Sequence, residues 1–141
     1  MKTFYITTPI YYTNSNIHIG AAYTTIAADI LARWNRLQGK EVFFLTGSDE
    51  HGQKIQEAAE KAGKSPKEFV DEIAEEFQEA FKLINISNDN FLRTTNKFHE
   101  HEVQKTLQEL YDKKYIYKGT YEAHYCIGCE QYKTESELID G

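Results

Sequence analysis

The stretch PIYYTNSNIHIGAAYTT, Pro9 to Thr25, decides how the chain is read. It joins a short apolar run, Phe4 to Thr7, to a long helical pattern and places His18 and Gly20 where that helix begins. Strand, loop and helix start in succession make a phosphate site, because the first turn of a helix presents unpaired N–H groups and a partial positive charge. Upstream, Lys2 to Thr7 is aromatic and β-branched, apolar at successive positions and closed by Pro9, which predicts a strand covered on both faces. Downstream, from Ile17 to Gln38, Ile19, Ala22, Tyr23, Ile26, Ala27, Ile30, Leu31, Trp34 and Leu37 recur at helical spacing, and Gly39 follows as a cap. Glu41 to Thr46 (EVFFLT) is a second apolar strand. A strand, a crossover helix and a strand imply parallel neighbours whose carboxyl ends share one edge of the sheet, where open α/β folds bind ligands. Loops 8–17 and 47–52 are therefore expected to face each other.

Composition sets the limits of this reading. A chain of 141 residues that is 40% hydrophobic and 13% aromatic can bury a single core. The formal charge of -6 argues against a broad duplex-binding face and leaves a local RNA contact open. No window approaches the roughly 18 consecutive apolar residues of a membrane span. The first residues enter a strand without a signal-peptide core, so a cytoplasmic protein with no membrane partner is expected. Repeats and low-complexity segments are absent.

Beyond GSDEHG (Gly47 to Gly52), a helix runs to about Ala62. Ser65, Pro66 and Glu68 then open an acidic amphipathic helix to about Leu83, with a capping box and proline at the first helical position. Phe69, Val70, Ile73, Phe77, Ala80 and Phe81 form its core stripe, and the glutamates between them a solvated face. Phe91 to Thr94 is a third strand, and Thr95 or Asn96 caps a helix to Lys113. From Tyr115 the pattern changes to short strand-like pieces, Tyr115 to Lys118 and Thr120 to Tyr125, which places a domain boundary near Lys114.

At the helix start His18 is a donor for phosphates, and Gly20, lacking a Cβ, lets a base or phosphate approach the backbone. Taken alone, such a histidine is more often a structural or surface residue. Asp49 in the facing loop would repel phosphates, so it requires a cation, either a substrate ammonium or a magnesium ion. The plainer alternative has Asp49 or Glu50 capping the helix entered at Gly52, with His51 another helix-start residue. Tyr11 and Tyr12, beside Pro9 and Ile10, suit either a pocket wall or the core. No Ser-His-Asp or Cys-His arrangement and no Walker loop is present, which favours catalysis by positioning and electrostatics on a phosphate. Cys126 and Cys129 form a CxxC knuckle, a metal or redox pair in a reducing compartment and one half of a tetrahedral zinc set. His124 precedes the pair, and a free dithiol is the alternative.

The string TTPIYYTNSNIHIGAAYTTIAADILARWNRLQG, followed by EVFFLTGSDEHGQKIQ and FLRTT, resembles the N-terminal part of the methionyl-tRNA synthetase family of class I aminoacyl-tRNA synthetases, over essentially the whole chain. The resemblance implies an α/β fold, the first half of a Rossmann-like (HUP-type) catalytic domain over residues 1–114. It also implies the start of a zinc-knuckle connective insertion over 115–141. It implies ATP, with Mg2+, and methionine as substrates and tRNA(Met) as acceptor. By position, the HIGH signature falls on His18, Ile19, Gly20 and Ala21, with His18 catalytic at the phosphates. Thr7, Asn14, His18, Gly20 and Ala21 would surround ATP, Ile10, Tyr12 and Asp49 would hold methionine, and Cys126 and Cys129 would ligate Zn2+ with a second pair lying further on in the family. Ala21 departs from the signature, whose second histidine it replaces. Losing such a donor is worth about 3 kcal/mol in the transition state, so Ala21→His is expected to raise adenylation. The family's second half pairs beside the first strand, which predicts an exposed sheet edge here, and marginal stability or association, with itself or a complementary fragment. Two readings compete: a catalytically inert nucleotide- or partner-binding module, and another HxGH-type nucleotidylyltransferase.

Overall fold

The computed structural model describes residues 2–139. Its centre is a parallel sheet built on one long strand. In chain order the elements are β1 (Thr3–Thr7), β2 (Tyr11–Tyr12), α1 (Ile19–Leu37), β3 (Glu41–Asp49), α2 (Gln53–Lys61), α3 (Pro66–Leu83), β4 (Asn90–Arg93) and α4 (Lys97–Asp112). A hairpin, β5 (His124–Cys126) and β6 (Gln131–Lys133), and a 3-10 turn, Glu135–Glu137, follow. β1 and β2 line one side of β3 and β4 the other, all parallel. The expected parallel α/β sheet is present.

β1 and β2 are one edge interrupted by a bulge. Thr7 pairs with Leu45 and Tyr11 with Ser48, so four steps on the edge strand match three on β3. The extra residue falls at Thr8-Pro9-Ile10, where Pro9 has no N–H to give a ladder. β3 extends to Asp49, three residues past the expected strand end. Its lengthening carries the GSD segment into the sheet, and Gly47 allows the approach to β4: a Cβ there would lie 2.1 Å from the Leu92 carbonyl oxygen.

One face of the sheet is covered. Phe44 is fully buried with Ala28 and Ala32 of α1, and Ile6 and Val42 pack against them. Ala21, Ile73, Phe77 and Phe81 join α1 to α3 on the same side, with Tyr11 and Phe91 packed around them. β1, expected to be covered on both faces, instead alternates between half-buried and exposed positions. Tyr5 and Phe43, neighbours in register, stack at 6.1 Å on the open face. α1 inverts the apparent stripe: Ala21, Thr25, Ala28 and Ala32 are buried, while Ile19, Tyr23, Ile30, Trp34 and Leu37 are exposed. Small side chains let the helix axis approach the sheet, so the large apolar ones are left outside.

The remaining elements follow their local signals. Ser65 caps α3, accepting from the Glu68 N–H, with the reciprocal capping-box bond from its own N–H to Glu68 and Pro66 in the first turn. Asn96 Oδ1 accepts from the Phe98 N–H at 2.9 Å at the start of α4. The chain divides into two compact units, Met1–Glu102 and Val103–Gly141. In the second, the expected strands over 115–118 and 120–125 do not form; only His124–Cys126 pairs, antiparallel with Gln131–Lys133. Tyr125 and Tyr121 each meet Tyr132 edge-on, at 5.2 and 5.3 Å, which fixes the pairing there.

Candidate functional site

Register brings the two expected loops together at the carboxyl end of the sheet. Tyr12 pairs with Asp49 and so shares a face with it. The Thr13 N–H and hydroxyl both donate to the Asp49 carbonyl, at 3.2 and 3.1 Å. Thr7, paired with Leu45, lies on that same face, because residues 45, 47 and 49 of a strand point one way. Ile10 is exposed on the bulge, and Asn14 is exposed in the loop that follows. Tyr11, one step before Tyr12, turns to the opposite face. Its ring stacks on Phe77 at 5.6 Å, and its hydroxyl lies 2.7 Å from Thr25 Oγ1 and donates to the Ala21 carbonyl at 3.2 Å. Of the two adjacent tyrosines, Tyr11 is core and Tyr12 shares the face of Asp49.

At the start of α1, His18 is the N-cap, and its Nδ1 accepts from the Gly20 N–H at 3.1 Å. That bond sets the neutral imidazole's proton on Nε2, a donor on an exposed ring. A Cβ on residue 20 would meet His18 Cε1 and Nδ1 at 2.9 and 3.0 Å. Gly20 thus leaves room for the histidine's own folded-back ring, which a side chain at that position would push outward. Ala21 lies beneath this turn, with its side chain buried among Ile73, Phe77 and Phe81.

The acidic pair in GSDEHG divides sharply. No ion pair engages the Asp49 carboxylate among the described residues. Glu50 beside it is buried and fully compensated: Arg93 donates to both of its oxygens, at 2.7 and 3.0 Å, Ser48 Oγ donates at 2.6 Å, and Thr95 Oγ1 adds a fourth bond. Neither acid caps α2, whose N-cap is Gly52 with no side-chain bond, so the capping alternative is set aside. His51 is exposed, its Nε2 3.4 Å from the Thr94 carbonyl. Arg93 also binds Asp71 Oδ1 at 2.5 Å. The Lys67 ammonium and Arg93 together hold the Asp71 carboxyl below its usual range, and its bonds to Glu50 and Asp71, against its burial, raise Arg93. The sequence reading missed the Glu50–Arg93 pair. Its one trace in the sequence is the arginine closing the apolar strand NFLR, which does not say where its partner lies.

In the second unit Cys126 ends β5 and Cys129 lies within the hairpin turn that follows. The Cys129 N–H and thiol, with the Gly128 N–H, hold the Cys126 thiol below its ordinary range. Two thiols make half of a tetrahedral set, and among the described residues no group of three or more His, Cys, Asp or Glu side chains gathers to complete one. The described residues do not by themselves complete a structural zinc site.

A parallel α/β sheet thus carries a histidine-capped helix start and, at the facing strand end, a carboxylate. The family model described as tRNA synthetases class I (M) matches residues 4–141, and the chain belongs to that family. It is similar to methionine–tRNA ligase of Caldanaerobacter subterraneus subsp. tengcongensis, 56% identical over 99% of this chain and 22% of the relative. The Thermotoga maritima methionine–tRNA ligase is 54% identical over 96% of this chain and 22% of that protein. The chain therefore spans about a fifth of the length of the curated relatives it matches. In structure it is similar to Mycobacterium tuberculosis methionyl-tRNA synthetase in complex with methionyl-adenylate: TM-score 0.92, 38% identity, 100% of this chain and 28% of that one. A leucyl-tRNA synthetase from Agrobacterium radiobacter K84, in a ternary complex, matches at TM-score 0.84 with 25% identity, covering 99% of this chain and 18% of that one.

Proposed function

We propose that the chain carries the part of a methionine-activating site that receives the amino acid's ammonium and the nucleotide's phosphates. The observation carrying this is the Asp49 carboxylate, register partner of Tyr12 and without an ion pair among the described residues, at the sheet end toward which the His18-Gly20 helix start opens. The likeness to a synthetase solved with methionyl-adenylate supports it. Asp49 holds the ammonium, Ile10 and Tyr12 flank the methionine, and Thr7, Asn14, Gly20 and the Ala21 backbone border the nucleotide. A methionine carboxylate oxygen forms a bond to the α-phosphorus of ATP, taken as its Mg2+ complex, and the bond to the pyrophosphate oxygen breaks. His18 Nε2–H donates to phosphate oxygens as charge shifts onto them. In the longer cytoplasmic enzyme, a terminal hydroxyl of tRNA(Met) then displaces AMP. Cys126 and Cys129 serve as one ligand pair of a zinc knuckle when a second pair is available.

Methionine-dependent ATP–pyrophosphate exchange, with calorimetry of each substrate, tests this reading. Asp49→Ala is expected to weaken methionine binding by at least about 30-fold, the loss of a close charge pair, with ATP binding unchanged. His18→Ala is expected to slow exchange by about 100-fold or more. Methionine binding that ignores Asp49→Ala would overturn the assignment. Because the chain spans 22% of its relatives, a binding module is the second reading, and ATP binding without exchange would favour it.

A further inference from the structure

We infer that Glu50 and Arg93 are positioning residues for Asp49, holding the strand end so that the neighbouring carboxylate stays beside Tyr12. This rests on the reading of Asp49 as the ammonium partner.

The pair ties together everything that surrounds residue 49. Glu50 Oε1 accepts from Ser48 Oγ and Arg93 Nε at 2.6 and 2.7 Å, and Oε2 from Arg93 Nη2 at 3.0 Å and from Thr95. The Glu50 N–H donates to Thr94 Oγ1 at 2.9 Å, and the Thr94 N–H to the Ser48 carbonyl at 3.2 Å. From the other side, Thr13 donates twice to the Asp49 carbonyl. Arg93 is anchored in turn to Asp71 of α3, which Lys67 grips through both oxygens at 2.7 and 2.8 Å. The residues before and after Asp49 are thus fixed to β4 and α3, and its own carbonyl to the β2 loop.

Stability alone does not explain such a pair. A buried ion pair costs so much desolvation that apolar residues of similar volume commonly replace it without loss. Its value lies in geometry: the guanidinium forks onto a carboxylate in one orientation. Strand alternation also sets Glu50 on the face opposite Asp49, where Arg93 neutralises it. One acid of the adjacent pair is spent internally, and the other stays available to a ligand cation.

Three variants of the chain test this: Glu50→Gln, Arg93→Lys and the double apolar replacement Glu50→Leu/Arg93→Met. Amide hydrogen exchange and methionine calorimetry are measured on each. Exchange at the Thr13 and Glu50 amides, which report the bonds on either side of Asp49, is expected to accelerate about tenfold or more while α1 and α3 amides hold. Methionine affinity is expected to fall about 10–100-fold, as when a residue orienting a ligating group is lost. Should a single variant loosen the whole fold, the double replacement decides. A stable double variant that still binds methionine weakly supports positioning, and one with native affinity overturns it. Unchanged exchange at Thr13 and Glu50 overturns the inference whether or not methionine binds. Locally faster exchange in a chain whose wild type binds no methionine retains the positioning of Asp49 and discards the methionine site instead.

Discussion

Asp49 and Glu50 are adjacent, identical in charge and opposite in use, because a strand turns successive side chains to opposite faces. Glu50 meets Arg93 inside, whereas Asp49 stands beside Tyr12 with no cation of its own among the described residues. At the helix start, Ala21 shows the same dependence on direction. A histidine there was expected to add a phosphate donor, yet the Ala21 side chain is 2% exposed and enclosed by Ile73, Phe77 and Phe81. Ala21→His is therefore expected to lower stability by about 1–3 kcal/mol through overpacking, read as a reduced urea midpoint, whatever it does to adenylation. An unchanged midpoint with faster ATP–pyrophosphate exchange would instead put the imidazole outside, among the phosphates. The meeting of Tyr12 and Asp49 at one sheet end was legible in the strand-helix-strand pattern. Glu50 was not, since its partner lies 43 residues away and only folding brings the two within reach.

Helix α1 was legible in extent and misleading in orientation. Its approximate span follows from the apolar period, but a period does not say which of two apolar faces meets the sheet. Here size decides, and the alanine-threonine face approaches β3. The same helix clamps the segment leading into β4. Asp29 Oδ1 accepts from the Ser87 N–H and hydroxyl at 2.7 and 2.5 Å, and Arg33 Nε donates to Oδ2 at 2.6 Å. Arg36 bridges Ser87 and Asp89, whose carboxylate also accepts the Phe44 N–H at 2.6 Å. Burial disfavours the Asp29 charge, but the Ser87 hydroxyl, Arg33 and the Ser87 amide outweigh it and hold the carboxyl below its usual range. With the folded pKa depressed, this stabilisation is complete above the unfolded value of about 3.9 and is lost as pH falls through the folded one. Asp29→Asn is expected to cost about 1–3 kcal/mol near neutrality, and the gap from wild type to narrow progressively in acid below that range. Denaturant melts across pH check it; a gap that persists undiminished at pH 2 would remove the carboxylate from the account.

At the scale of the molecule, the first unit presents apolar surface on two sides. β1 is an edge strand whose Tyr5, with Phe43, faces out from the open side of the sheet, and α1 displays Ile19, Tyr23, Ile30, Trp34 and Leu37. Scattered apolar residues are ordinary on a surface, but a stripe at helical spacing along most of a helix is contiguous, and contiguous patches mark interfaces. The relatives are several times longer than this chain, so they have ample further chain to cover such faces. Without it, the chain is expected to self-associate, with β1 edges and α1 stripes as the contact. The double variant Ile30→Lys/Trp34→Gln is expected to shift the population toward monomer in sedimentation velocity. Its thermal midpoint should stay near wild type, because these side chains are 61% and 59% exposed and contribute little to the core. Tyr5→Lys separates the two surfaces, since charge on an edge strand blocks pairing there and leaves the helix untouched. If each variant removes part of the association, both faces are interfaces; a wild-type chain that is a compact monomer with a single cooperative melt overturns the assignment, and the exposed stripe then carries no partner of its own kind.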